Sequence, residues 1–442
     1  MMRSLWSAVS GLNTHQLEMD VIGNNISNVN TTAYKSQATG FQDVLYQTIK
    51  SGSGAGQNTG AISATQVGLG SKVSSVYTNI SAQGSMQTTG NALDLMITGP
   101  SFFIVTPDNA TRNYSRDGSF AIDANGDLVT QGNGYYVMGV MGEGGVTNGA
   151  TVTKLNVINR VSVPGKNPTD PARMIDYMAG SPTTQAYFKG NIDSDDPSLK
   201  EGKGLAFEIY GNDGKPYTLK FTIDTAGDED PSTFNLNLDS VIDEDGKKVT
   251  IDQFEPIKLE YDKHNGRLTS GDNVQINVSG EGANIGSFNL DLSNTTNFAS
   301  SMSGHNSTIY AYKGDTQGLN KGYPEGELTQ ISFGTDGSIY GRYSNGQTIK
   351  KGQIAVAEFN NAMGLEKVGD NLYAASLNSG AAQVMDVTTD GGYINSGVLE
   401  ASNVDLAKEF TDMITTQRGF QANSRVITTS DELLQVLKGL KR

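Results

Sequence analysis

The chain of 442 residues contains no cysteine, which excludes disulfide bonds and thiolate metal sites. It has only three histidines, and none of them forms an H-x3-H or HExxH spacing. Basic residues are also scarce: 32 Lys and Arg stand against 47 Asp and Glu, a formal charge of −15. Because phosphate binding needs a basic surface, this balance argues against a nucleic-acid partner.

Long hydrophobic runs are missing as well. No stretch approaches the roughly 20 apolar residues of a membrane span. The most apolar region, 93–105, is interrupted by Asp94, Gly99 and Pro100. The N-terminus has no uninterrupted apolar core and no small-residue cleavage site, so we expect no cleaved secretory signal peptide.

The sequence does contain 53 glycines and a modest hydrophobic fraction of 36%. Short alternating apolar runs separated by Asp-Gly and Asn-Gly pairs fill the region from residue 72 to about residue 359, and such pairs are typical of β-hairpin turns. This texture predicts several small β domains rather than one large α/β core.

The last forty residues are different, because no proline interrupts them and they carry a helical period. Positions spaced alternately by four and three residues form a heptad seam, although four of its ten positions are polar. The seam consists of Leu406, Phe410, Met413, Gln417, Phe420, Ser424, Ile427, Asp431, Leu434 and Lys438. A helix with so weak a seam needs further partners.

A second seam at the N-terminus is a plausible partner. It consists of Leu5, Ala8, Leu12, His15, Met19, Ile22, Ile26 and Val29. We expect the two terminal helices to pair and then to pack against copies of the chain. A two-helix flap on an ordinary globular domain is the alternative that periodicity alone leaves open.

Together these patterns predict a mixed fold: long coiled-coil-like helical termini and two nested all-β domains of sandwich or barrel type. The predicted paired terminal helices are 1–29 and 403–442. A linker or hairpin region, 30–71, follows the first helix. The segment GYPEGELT, 322–329, resembles the return into the domain begun at Lys72 in the protein family described below. This resemblance implies that the inner β domain combines 72–155 with 322–402 and that the outer inserted β domain is 156–321.

The sequence contains no complete catalytic or metal-binding motif. Asp123, Asn125 and Asp127 begin like a calcium loop, but Gly134 stands where the bidentate glutamate belongs. Acidic clusters at 193–196, 228–230 and 243–245 lie in turn-like segments that are commonly acidic for solubility. We therefore predict no enzyme activity, no cofactor and no metal site.

Specific motifs lie at both ends of the chain. The segment NNISNVNTTAYK, 24–35, resembles the N-terminal signature of flagellar rod and hook proteins. The segments NVDL, 403–406, and TQRGFQANS, 416–424, resemble the matching C-terminal signature. NYSRDGSF, 113–120, resembles a further motif of the family. The length and the long insertion are similar to the hook members of this axial protein family, including those of spirochaetes.

The resemblance implies a structural subunit that polymerises helically into the flagellar hook, the curved universal joint that transmits torque from the rod to the filament. It implies many identical copies as partners, together with the distal rod protein, the hook cap, the hook–filament junction proteins and the flagellar type III export apparatus. Export without a cleaved signal peptide and a place in the bacterial flagellum follow from the same resemblance.

The helical seams and the resemblance together predict two sets of site residues. The predicted assembly interface consists of Leu5, Leu12, Met19, Ile22, Ile26, Leu406, Phe410, Met413, Gln417, Phe420, Ile427 and Leu434. The family-motif residues are Asn25, Asn28, Thr31, Thr32, Tyr34 and Lys35.

Two other functions stay open at this point. A distal flagellar rod protein shares both terminal signatures but normally lacks the insertion. A secreted glycan-active or adhesive β protein would place its activity in the isolated β domains.

A last resemblance concerns a covalent link between subunits. Spirochaete hook proteins join neighbours through a lysine and a dehydroalanine made from cysteine, and 164–168 and 177–180 are similar to the segments that carry them. Lys166 matches the lysine, whereas Ala179 stands at the position of the cysteine. Alanine has no leaving group on its β-carbon, so we predict that this cross-link does not form.

Overall fold

The computed structural model describes residues 2–54, 56, 60–108, 110–163, 173–226, 232–251, 254–281, 283–299 and 304–439. The helices are α1 Met2–Ser27, α2 Ser198–Glu201 and α3 Leu406–Gly439, with 3-10 turns at Ala362–Gly364 and Val387–Asp390. The strands up to residue 154 are β1 Gln37–Asp43, β2 Tyr46–Lys50, β3 Thr65–Gly68, β4 Ser71–Thr78, β5 Met86–Thr88, β6 Leu95–Thr98, β7 Phe102–Thr106, β8 Asn113–Ser115, β9 Phe120–Ile122, β10 Leu128–Thr130, β11 Tyr136–Met141 and β12 Thr153–Lys154.

The next strands are β13 Arg160–Val163, β14 Arg173–Met178, β15 Gln185–Ile192, β16 Lys203–Tyr210, β17 Pro216–Thr225, β18 Thr233–Ile242, β19 Lys248–Ile251, β20 Ile257–Tyr261, β21 Leu268–Ser270, β22 Asn273–Glu281, β23 Ala283–Asn297 and β24 Tyr310–Lys313. The last are β25 Gly326–Phe333, β26 Ser338–Tyr343, β27 Thr348–Ile354, β28 Val356–Glu358, β29 Glu366–Gly369, β30 Leu372–Ala374, β31 Gln383–Met385, β32 Tyr393–Ser396 and β33 Val398–Glu400.

The chain divides into two compact units. The first unit consists of Met1–Ile158, Ile331–Gly341 and Ile349–Arg442. The second unit consists of Asn159–Gln330 and Arg342–Thr348. Both ends of the chain therefore belong to the first unit.

Strand β7 lies at the centre of the first unit, between β11 and β8, and all five of its residues are buried. Successive side chains of a strand point to opposite faces. Accordingly, Phe103 and Val105 join one apolar cluster, and Phe102 and Ile104 join another. The strand is thus an uninterrupted apolar run because it supplies two cores at once.

The two long helices pack against each other in an antiparallel pair, and glycines mark the contacts. A Cβ atom added to Gly11 would lie 2.5 Å from Asn423 Nδ2, and one added to Gly419 would lie 2.7 Å from His15 Nε2. The step from Gly11 to His15 on α1 thus corresponds to the step from Asn423 back to Gly419 on α3, which is the antiparallel direction. The absence of a side chain at each glycine lets the opposite polar side chain fit between the helices.

The second unit has a more conventional apolar core. Along β17 the residues Tyr217, Leu219, Phe221 and Ile223 are buried at every second position, as expected for a strand with one face on the core. Aromatic rings fill the centre, with Phe207 stacked on Phe221 at a centroid distance of 5.9 Å. One strand pair in this unit, β15 with β23, is parallel.

The prediction of long coiled-coil-like termini is wrong. The described chain is dominated by strands, and each terminus supplies a single long helix. The buried residues of α3 are Glu409, Thr416 and Ser430, and none of them is on the predicted heptad seam. The seam residues Leu406, Phe410, Gln417 and Leu434 are exposed instead. Close approach at the glycines places polar and small residues of α3 against α1.

No helix in the part of the chain that the structure describes is both long and apolar enough to cross a lipid bilayer.

Candidate functional site

The turn that follows α1 has a strained backbone. Ala33 is buried and adopts φ 54°, a left-handed conformation that an alanine rarely takes. Its amide N–H donates to the carbonyl oxygen of Glu400 at 2.7 Å. The segment after the N-terminal helix is therefore held directly by the strand that leads to the C-terminal helix.

Two residues further on, the Lys35 side chain is almost completely buried. Its Nζ lies 2.7 Å from Glu400 Oε1 and donates a second hydrogen bond to the carbonyl oxygen of Ala82 at 2.8 Å. The backbone N–H of Gly84 also donates to Glu400 Oε1. An ion pair with both partners buried is costly to break from one side, because the remaining charge is left without compensation.

A second cation, Arg116, follows β8 directly and approaches Glu400. Arg116 Nη1 lies 3.9 Å from Glu400 Oε2, and its Nη2 donates to the carbonyl oxygen of Gly99. The guanidinium also lies over the ring of Phe102, 5.0 Å from its centroid. Burial lowers the pKa of both Arg116 and Lys35, whereas the negative charge of Glu400 raises them. Glu400 is thus the single carboxylate shared by two buried cations.

Asn25, near the end of α1, forms a second connection between the termini. Its Nδ2 donates to Glu409 Oε1 at 3.0 Å, and its Oδ1 accepts from the backbone N–H of Gln37 at 2.9 Å. The hydroxyl of Tyr34 also donates to Asn25 Oδ1. Burial raises the pKa of Glu409, and the Asn25 hydrogen bond acts against this rise.

Asn403 forms the third connection, just ahead of α3. Its Oδ1 accepts from the backbone N–H of Ser36 at 2.7 Å. Its Nδ2 donates to the carbonyl oxygens of Asn79 and Ala82. One side chain therefore bonds the backbone on both sides of the β1–β4 hairpin.

We call the six side chains that make these connections the polar clasp: Asn25, Lys35, Arg116, Glu400, Asn403 and Glu409. Two residues of the β29–β30 hairpin support it. Asn371 Nδ2 donates to the carbonyl oxygen of Thr32, and Lys367 Nζ donates to that of Lys35 while lying over the Tyr34 ring. The clasp joins both termini to the β core of the same unit.

The predicted family-motif residues fall in and around the clasp. Asn25 and Lys35 belong to it, Tyr34 donates to Asn25, and Thr32 accepts from the supporting residue Asn371. Asn28 and Thr31 close the turn after α1, with Thr31 Oγ1 donating to Asn28 Oδ1 at 3.1 Å. Sequence reasoning missed Glu400, a lone acidic residue after a short apolar run. Its role depends on contacts with residues more than 280 positions away.

The predicted interface residues differ in how deeply they are buried. On α1, Ile22 is buried, and Leu5, Leu12, Met19 and Ile26 are half-buried. On α3, Met413, Phe420 and Ile427 are half-buried, whereas Leu406, Phe410, Gln417 and Leu434 are exposed. Of the two residues compared with the spirochaete cross-link, Lys166 lies outside the described residues, and Ala179 is exposed just after β14 in the second unit.

Three models of known protein families match separate parts of the chain. A model described as flagella basal body rod protein matches residues 5–35, flagellar hook protein FlgE/F/G D1 domain matches 96–165, and flagellar basal body rod FlgEFG protein C-terminal matches 395–440. Each matched segment contributes to the polar clasp: Asn25 and Lys35 from the first, Arg116 from the second, and Glu400, Asn403 and Glu409 from the third.

Relatives match over the whole length. The flagellar hook protein FlgE of Borreliella burgdorferi is 35% identical and that of Treponema pallidum is 32% identical, each with full coverage of both chains. The flagellar basal-body rod protein FlgG of Bacillus subtilis is 30% identical, again over both full lengths. The chain therefore belongs to the flagellar hook protein FlgE/F/G family.

Proposed function

We propose that the chain is the structural subunit of a flagellar hook, a tube of many identical copies that bends while it transmits torque from the rod to the filament. The observation that carries this proposal is the 35% identity over both full lengths to a protein named flagellar hook protein FlgE. We place the protein in the hook of the bacterial flagellum and give it no catalytic role.

The surface of the terminal helices supports an assembly of copies. Phe410 is 50% exposed and Val436 is 60% exposed, although both are large apolar side chains. A monomer gains nothing from such exposure, whereas burial between copies removes apolar area from water. The exposed apolar residues of α3 are Leu406, Phe410, Ile414, Val426, Leu433, Leu434, Val436 and Leu437. We propose them, with the half-buried Met413, Phe420 and Ile427, as the α3 side of the interface.

The domain arrangement that accompanies this function is also a proposal. Residues 1–29 and 403–442 would form the inner tube, 72–155 with 322–402 an inner β domain, and 156–321 an outer one. Contacts that repeat from one copy to the next without closing a ring generate a helical tube. The partners at its ends would be the distal rod protein, the hook cap and the junction proteins.

A basal-body rod subunit is the second candidate, and the 30% identity to a protein named FlgG favours it specifically. A rod and a hook differ in mechanics rather than in the terminal helices, because a rod is straight and stiff.

Electron microscopy of purified, self-assembled protein separates these candidates. The proposed function predicts short, curved tubes from the full chain, and a soluble, folded monomer after removal of residues 1–29 and 403–442. Straight tubes would favour the rod. Tubes formed by the truncated protein would contradict the assignment of the interface to the terminal helices.

A further inference from the structure

A cluster of ligating side chains lies in the second unit. Asp193 and Asp195 directly follow β15, and His305 precedes β24. One ligand atom from each of these residues lies within 4.8 Å of the others. The acidic run 193–196 looks like a solvated turn in the sequence. His305 joins it only through the fold, because it is 112 positions from Asp193.

The position of Asp193 is fixed and dry. Its side chain is 0% exposed, and its backbone N–H donates to Ser307 Oγ at 3.0 Å. Its Oδ1 accepts from the backbone N–H of Asp195 at 3.1 Å, whereas its Oδ2 faces His305 Nδ1 at 3.3 Å. A buried carboxylate is unfavourable unless a cation or strong donors compensate its charge.

The nearby permanent cation serves a different carboxylate. Lys203 Nζ lies 3.2 Å from Asp196 Oδ2, which also accepts from the backbone N–H of Ser307. The other oxygen of Asp196 accepts from the N–H and the hydroxyl of Ser198. Asp196 is therefore fully engaged, while the ionic partner of the buried Asp193 is a histidine that is charged only when protonated.

We propose that Asp193, Asp195 and His305 bind one divalent transition-metal cation at the junction between the end of β15 and the segment ahead of β24. Two carboxylates and one imidazole form a mixed oxygen and nitrogen set, which suits Zn²⁺ or a similar first-row cation better than Mg²⁺. Asp195 is exposed and the His305 side chain is 36% exposed, so the ion reaches the site from solvent and water completes its coordination.

The bound cation supplies positive charge to Asp193, whose ion-pair partner among the described residues is a histidine that is charged only when protonated. It also connects two segments that are far apart in the sequence, and therefore stabilises the folded second unit by mass action. This inference does not depend on the proposed assembly function, because the site lies within one copy of the chain.

The same unit offers a matched control. His264 Nδ1 lies 3.4 Å from Asp262 Oδ1, so this pair has nearly the geometry of His305 with Asp193. The His264 side chain, however, is 96% exposed, and among the described residues its pair is joined by no third ligand. If Zn²⁺ binds at the cluster of Asp193, Asp195 and His305, substitution of His305 must weaken binding and substitution of His264 must not.

The test is a titration of the full-length protein, first stripped with EDTA, with Zn²⁺ by calorimetry, followed by thermal unfolding with and without the ion. We expect saturable binding of one Zn²⁺ at this site and a rise of several degrees in the unfolding temperature of the second unit. His305→Ala should weaken binding at least tenfold and remove the thermal shift, whereas His264→Ala should leave both unchanged.

Asp195→Asn provides a second variant at an exposed position, in case His305→Ala disturbs the fold of the metal-free protein. It should also weaken binding at least tenfold. The proposal is overturned if the wild-type protein binds no Zn²⁺, if Asp195→Asn binds as tightly as wild type, or if His264→Ala lowers the affinity as much as His305→Ala.

Discussion

The two ends of the α1–α3 helix pair are built in opposite ways. Around the polar clasp, charged and amide side chains are buried, with Lys35 and Glu400 each 1% exposed at the side chain. In the last turns of α3, large apolar side chains are exposed, with Leu433 and Leu437 54% and 48% exposed. Buried polar side chains thus lie at one end of the helix pair, and exposed apolar side chains lie at the other.

The difference separates two tasks. Hydrogen bonds and ion pairs are directional, so the clasp fixes one arrangement of the termini against the β core. Apolar contact is not directional and depends mainly on buried area. Exposed apolar side chains are therefore suited to copies that shift against each other while they remain attached, as the proposed bending tube requires.

The largest effect is expected from removing the central charge of the clasp. Glu400→Gln keeps the side-chain shape but leaves Lys35 and Arg116 buried without their carboxylate. We expect the free energy of unfolding of the first unit to fall by about 3–5 kcal/mol, the usual cost of breaking a buried pair from one side. Urea denaturation of the monomer, followed by circular dichroism, measures it.

A matched change in the other region sharpens this comparison. Leu437→Ser alters an exposed position of α3 and should change monomer stability by no more than about 0.5 kcal/mol. Equal losses in the two variants would mean that the clasp holds the termini no more firmly than the exposed face does.

An effect of intermediate size is expected at two glycines of the helix pair, of which one is in open space and the other lies against the opposite helix. Gly23→Ala should raise stability by about 1 kcal/mol, because no atom lies within 4 Å of the added Cβ and alanine is the better helix former. Gly419→Ala should lose this gain and cost about 1 kcal/mol, because its Cβ would meet three atoms of the His15 ring. Thermal unfolding of both variants measures the difference. Stabilisation by both would show that His15 moves aside freely.

The smallest effect concerns Glu409 and depends on pH. Burial raises its pKa in the folded protein above the ordinary value of 4.5, so folding favours the protonated form. Its contribution to stability is fully present below the unfolded pKa and declines as the pH rises through the folded pKa. Glu409→Gln should therefore stabilise the monomer slightly at pH 7 and not at pH 4. A gain that is equal at both pH values would exclude this explanation.

Sequence patterns predicted the helix at each terminus because helical periodicity is local. The heptad seam of α3 did not predict which of its residues are buried, because the face that approaches α1 depends on the opposite helix. Gly11 and Gly419 determine which face of α3 approaches α1, through their contacts with Asn423 and His15. The spacing of apolar residues in the sequence does not predict these contacts. Four of the six clasp residues, Asn25, Lys35, Arg116 and Asn403, lie in motifs that the sequence shows. Glu400 and Glu409 needed the fold, as did the meeting of Asp193 with His305.

The most direct test of the proposed α3 side of the interface is the critical concentration for polymerisation of Phe410→Ala, measured by sedimentation. If Phe410 is buried between copies, its loss costs about 3 kcal/mol per subunit, which raises the critical concentration by about a hundredfold. Thermal unfolding of the monomer should stay unchanged, because the side chain is 50% exposed there. Earlier unfolding with unchanged polymerisation would contradict the account and assign Phe410 to a contact within one chain.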